Sequence, residues 1–150
     1  MTPVTRRARV VLGACLITLL SLLSGCSDVA KTQDAQQAVL RYEQRIGVLN
    51  TEAAAAPATT PSQLQKLVRR YRAVVPPAVM RPPARRLARA LSSQLRAARE
   101  GLAATGRGDE PGVAAAQAAL RRGQRGAVRA VAQITARANR CRATLTACEP

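Results

Sequence analysis

Arg85, Arg86, Arg89, Arg96 and Arg99 crowd into one stretch of sequence, ARRLARALSSQLRAARE. Guanidinium groups at that density can grip phosphates, sulfates or carboxylates through their planar forks. They belong to a longer field of one sign, with ten bases and no acid between Glu52 and Glu100 and seven arginines and no acid between Glu110 and Glu149. The whole chain of 150 residues carries 24 basic against 8 acidic side chains, a formal net charge of +16. Such fields attract polyanions. An arginine-rich coding bias that merely solvates helix faces accounts for the same pattern, and the two readings stand side by side.

Catalysis lacks its usual reagents. There is no histidine, which removes the commonest general base together with Ser-His and Cys-His chemistry. The carboxylates are scattered, and the one adjacent pair after residue 26, Asp109 and Glu110, sits where helix capping explains it. GRGDEPG, residues 106–112, lacks the lysine and spacing of a phosphate loop. Its Arg107-Gly108-Asp109 spells an adhesion tripeptide of the kind that glycine-rich turns produce by chance. No catalytic residue, metal set or cofactor is assigned, and the chain is not expected to be an enzyme.

At the other end Arg6, Arg7 and Arg9 precede an uncharged stretch of 16 residues, Val10 to Gly25, and the first acid is Asp28. Positive head, apolar body and small-residue exit are the order of a secretory signal. The stretch falls short of the roughly 20 residues that cross a bilayer as a helix. Leu23-Ser24-Gly25-Cys26 closes it and resembles, position by position, the lipobox of bacterial lipoproteins. That resemblance implies cleavage between Gly25 and Cys26, a diacylglyceryl group on the Cys26 thiol, and a further fatty acyl chain such as palmitate on the new amine. It also implies a lipid anchor at the cell membrane or outer membrane, facing the periplasm or the cell exterior. An ordinary cleaved signal with a chance cysteine is the plainer alternative. A twin-arginine signal at Arg6-Arg7 is disfavoured by Arg9, which stands where an apolar residue is wanted.

Under this reading Cys15 leaves with the leader and Cys26 carries lipid, so Cys141 and Cys148 remain to pair in an oxidising envelope. In one continuous helix they would stand roughly 10 Å apart, beyond the limit of roughly 7 Å between bridged α-carbons. A disulfide therefore requires the last helix to end near Cys141 and RATLTAC to curl back. Two cysteines without histidine are too few ligands for zinc. Nucleic acid is not an expected partner of an exported chain with only Tyr42 and Tyr71 to stack on bases.

The elements that must carry these residues are all helical. Ala35, Val39, Tyr42, Ile46 and Leu49 make one seam, and Ala53 to Thr60 reads as a linker. Thr60-Pro61-Ser62-Gln63 is a capping-box start for a helix with Leu64, Leu67, Val68, Tyr71, Val74 and Val75 on one face, stopped by Pro76-Pro77. After a second break at Pro82-Pro83, a third helix from about Ala84 carries Leu87, Leu91, Leu95, Ala98 and Leu102. A fourth carries Val113, Leu120, Ala127, Ile134 and Cys141 at seven-residue steps. The last two should form a hairpin across a Gly-rich turn.

The chain thus reads as an all-α bundle of three or four helices, or a helical-hairpin assembly, behind a leader of residues 1–25. Residues 26–60 form the anchor, first helix and linker; residues 61–150 form a helical domain with a C-terminal disulfide loop. The Ala/Arg-rich part after the leader loosely resembles small helical lipoproteins of high-GC bacteria, without a shared functional motif. The function expected is a basic binding or adaptor module for an anionic lipid or envelope polymer, the third helix supplying its cationic face. The alternative is a structural or assembly subunit that packs against an envelope protein partner.

Overall fold

The computed structural model describes the backbone of residues 4–58 and 60–148, and the side chains of residues 30–58 and 60–148. Gly25 and Cys26, the expected cleavage and lipidation site, lie outside the described side chains. Four α-helices make up the fold, α1 (Val4–Ala55), α2 (Pro61–Ala73), α3 (Arg81–Gly106) and α4 (Glu110–Ala143), and there is no strand among the described residues. The all-α expectation holds.

Local chemistry sets the helix ends. The Thr60 side chain accepts from the Gln63 amide at 3.3 Å while the Thr60 amide donates to the Gln63 side chain at 3.0 Å, so the capping box is formed in both directions. α2 stops at Ala73, ahead of Pro76-Pro77, and Val75 is left 82% exposed instead of joining the seam. A 3-10 turn at Ala78–Met80 buries Val79 and Met80 and leads straight into α3. Pro82-Pro83 is not a break. The two prolines occupy the first turn of α3, where no amide partner is lost, and the helix starts at Arg81. Gly108, at φ 66°, supplies the left-handed residue that ends the α3–α4 turn, and Asp109 caps α4 by accepting from the Gly112 amide at 2.9 Å.

Side-chain contacts close the four helices into a ring. Asn50 meets Tyr71 and Glu52 pairs with Arg70 at 2.5 Å between α1 and α2. Arg72 donates to Ser92, and Arg99 to Gln65, each at 2.8 Å, between α2 and α3. Arg86 donates to Gln133 at 2.9 Å between α3 and α4, and Gln36 donates to the Cys141 carbonyl at 2.7 Å between α1 and α4. One core runs through all of them. Val39, Tyr42, Ile46 and Leu49 of α1 meet Val68, Tyr71, Met80, Leu87, Leu91, Ile134 and Cys141, as the α1 seam requires.

The expected seams of the α3–α4 hairpin hold at Leu87, Leu91, Ile134 and Cys141 and give way to small residues towards the Gly-rich turn. The buried line of α4 is Ala116, Gly123, Ala130, Ile134, Ala138 and Cys141, with Val113, Leu120 and Ala127 only half-buried, and Leu102 of α3 is 64% exposed. Small residues permit close approach. A β-carbon on Gly101 would lie 3.2 Å from that of Ala116, and one on Gly126 would lie 3.3 Å from that of Ala90.

α4 ends at Ala143, Thr144 is extended, and a 3-10 turn at Leu145–Cys148 returns to the bundle. This is the required curl: Cys141 and Cys148 come to disulfide distance, with α-carbons 5.1 Å apart and both side chains buried. Because the bridge closes a short loop, replacing both cysteines with alanine is expected to lower stability by about 2 to 3 kcal/mol. Urea unfolding of the two forms at matched pH reads that difference.

Candidate anion-binding surface

At about 100° per residue, Arg85, Arg89, Arg96 and Arg99 fall within an arc of about 80° on α3, while Arg86 lies roughly 100° from Arg85. All five are exposed. The bundle then divides them. Arg99 is drawn to Gln65 of α2, and Arg86 to Gln133 of α4. Arg85 borders a depression of about 180 Å³ beside Tyr71, Arg72 and Pro76. No hydrogen bond or ion pair ties Arg85, Arg89 or Arg96 to another described residue, so their donors face water. The five arginines are thus all at the surface, but they sit in three surroundings.

Tertiary structure adds residues that sequence periodicity did not join to α3. Arg86, Arg137 and Arg140 line one depression of about 240 Å³ with Gln133, Pro82 and Pro83. Arg137 and Arg140 are one turn apart on α4, and the α3–α4 pairing brings them beside the first turns of α3. No carboxylate lines this depression. Gln133 accepts from one nitrogen of Arg86, and the remaining guanidinium donors are available to an anion. The signal in sequence was only a long separation, 47 positions between Arg86 and Gln133, which no helical period reports.

Three of the described carboxylates are engaged away from this side of the bundle. Glu43 pairs with Arg142, Glu52 with Arg70, and Asp109 lies 3.6 Å from Arg107. Each of these pairs involves a base outside the α3 set and the Arg86 depression. What remains is an exposed surface of guanidinium donors, a chemistry suited to phosphate, sulfate or carboxylate groups. Among the described residues there is no group of three or more potential metal ligands, and no helix is long and apolar enough to cross a membrane.

The fold and its surface define a small helical bundle with a strongly basic exterior. Comparison with family models, curated proteins and solved structures finds no match to this chain.

Proposed function

We propose that the protein is a lipid-anchored envelope lipoprotein that acts as a non-catalytic binding module for an anionic envelope component. The observation that carries this reading is the set of exposed guanidinium groups on α3, joined by Arg137 and Arg140 of α4 around a depression that no carboxylate lines. The lipobox-like Leu23-Ser24-Gly25-Cys26 supplies the anchor and the address. Anchoring holds the basic surface near lipid headgroups and envelope polymers, which raises their effective concentration.

The test is binding of a poly(glycerol phosphate) to the full-length protein in nanodiscs of neutral phosphatidylcholine. Binding should be lost near 1 M salt, where the Debye length shrinks from about 10 Å at 0.1 M to about 3 Å. Replacing Arg85, Arg86 and Arg89 together with glutamine should weaken it about tenfold, each exposed charge contributing under about 1 kcal/mol, with helical circular dichroism unchanged. Equal binding by the triple variant would overturn the reading. The assembly-subunit alternative draws on Leu102 and Val128, which are 64% and 69% exposed. It predicts a defined protein that co-purifies with the native detergent-solubilised chain and stays bound when the complex is washed with about 1 M salt.

A further inference from the structure

A broad, open depression lies between the outer faces of α1 and α2. It offers about 640 Å³, open to solvent, over a floor of Val48, Leu49, Ala73 and Val74. A neighbouring depression of about 240 Å³ shares Arg41, Arg45 and Val74 with it and extends the trough to Val75 and the Pro76-Pro77 elbow. Two of its valines are costly where they stand, Val48 being 52% and Val75 82% exposed.

Its rim is as unbalanced as its floor. Arg41 and Arg45 stand one helical turn apart, a like-charge spacing that works against the helix. Neither has an ion-pair or hydrogen-bond partner among the described residues, and no carboxylate lines either depression. The third arginine at the trough, Arg70, already pairs with Glu52. Tyr42 reaches the elbow end, but burial pushes its phenol up to about 12, so it brings no negative charge. An apolar floor beneath two unmatched guanidiniums asks for an apolar chain with a doubly charged anionic head. A phosphate monoester carries about −1.5 to −2 at neutral pH, which matches the pair. The volume is that of a site for one small ligand, hence one acyl chain.

We propose that this trough binds a single-chain lipid with a phosphate-monoester head, the chain lying over Val48, Leu49, Val74 and Val75 and the phosphate held by Arg41 and Arg45. The trough meets the Arg85 depression at Tyr42, Val74 and Pro76, but Arg41 and Arg45 belong to neither that depression nor the α3 set, so different variants test the two.

Octyl phosphate is the probe, titrated by phosphorus NMR into the full-length protein in phosphatidylcholine nanodiscs, with empty discs as the blank. Saturable binding is expected. The Arg41→Gln/Arg45→Gln variant should weaken it by about tenfold or more, since two charge-assisted contacts are removed. Val48→Asp/Val75→Asp should weaken it as well, with helical circular dichroism unchanged because both sites are exposed. Arg121→Gln/Arg122→Gln removes the same charge from the outer face of α4 and should leave affinity unaltered. Inorganic phosphate binding as tightly as octyl phosphate would reduce the trough to a plain anion contact and overturn the proposal. So would equal binding of neutral octyl maltoside, or variants at Arg41 and Arg45 that bind like wild type. Polymer binding at the α3 surface should persist in the Arg41→Gln/Arg45→Gln variant, so failure here does not touch the proposed function.

Discussion

Under the proposed lipid anchor, replacing Cys26 with serine is expected to abolish incorporation of a fatty-acid label and to leave a protein that an alkaline wash removes from the membrane. Two acyl chains with about 15 buried methylenes each contribute on the order of 20 kcal/mol of membrane affinity at about 0.8 kcal/mol per methylene. Nothing else in the chain approaches that. The uncharged stretch Val10 to Gly25 has 16 residues, short of the roughly 20 a spanning helix needs. The basic surface adds about 1 kcal/mol per side chain near an anionic headgroup layer, and salt screens it. Metabolic labelling with an alkyne fatty acid, followed by fractionation of wild type and Cys26→Ser, separates the possibilities. Loss of label with loss of wash-resistant binding supports the anchor. Label retained on the variant, or binding that withstands the wash unchanged, would mean that Cys26 is not the attachment point.

Much of the bundle was legible because several of its instructions are local. The Thr60 and Gln63 exchange, the Pro76-Pro77 stop and the α1 seam at Val39, Tyr42, Ile46 and Leu49 each depend on residues within a turn or two of one another. The Cys141 and Cys148 curl followed from an equally short-range argument, since a rise of about 1.5 Å per residue forbids the pair from bridging in a continuous helix. What stayed hidden is what depends on proximity between helices. Apolar periodicity weighs side chains by how much surface they bury, and so it favours Val113, Leu120 and Leu102 over Ala116 and Gly123. Helix pairs can instead meet where side chains are smallest, because that is where backbones can approach. The same limit applied to the candidate site. The charge density of α3 was plain, yet the convergence of Arg86 with Arg137 and Arg140 is set by how α3 lies against α4. Likewise the unpaired state of Arg41 and Arg45 emerges only when the two α1 carboxylates that follow Arg41 in sequence, Glu43 and Glu52, are seen to be engaged by Arg142 and Arg70.

The hairpin's dependence on small residues is open to a sharp test at Gly123, where valine should cost about 3 kcal/mol. A β-carbon there would stand 2.5 Å from Gln94 Cγ and 3.3 Å from both the Ala90 carbonyl oxygen and the Gln94 amide nitrogen. The side chain can swing away. The backbone of α3 cannot, except by moving the helix. Alanine should come out near neutral, because exchanging glycine for alanine in a helix interior gains up to about 1 kcal/mol and offsets part of the crowding. Valine adds two methyl groups against that backbone, which places it at the upper end of the roughly 1 to 3 kcal/mol typical of overpacked cores. Gly47 of α1 is the control, since a β-carbon there meets nothing within 4 Å and the position is exposed. Gly47→Ala should therefore stabilise by about 0.5 to 1 kcal/mol. Urea midpoints for the three variants and wild type would rank them Gly47→Ala, wild type close to Gly123→Ala, then Gly123→Val far below. A valine at Gly123 that unfolds within about 0.5 kcal/mol of wild type, the ordinary range for surface substitutions, would mean that α3 and α4 do not meet on this line and that the leucine and valine seam holds the hairpin after all.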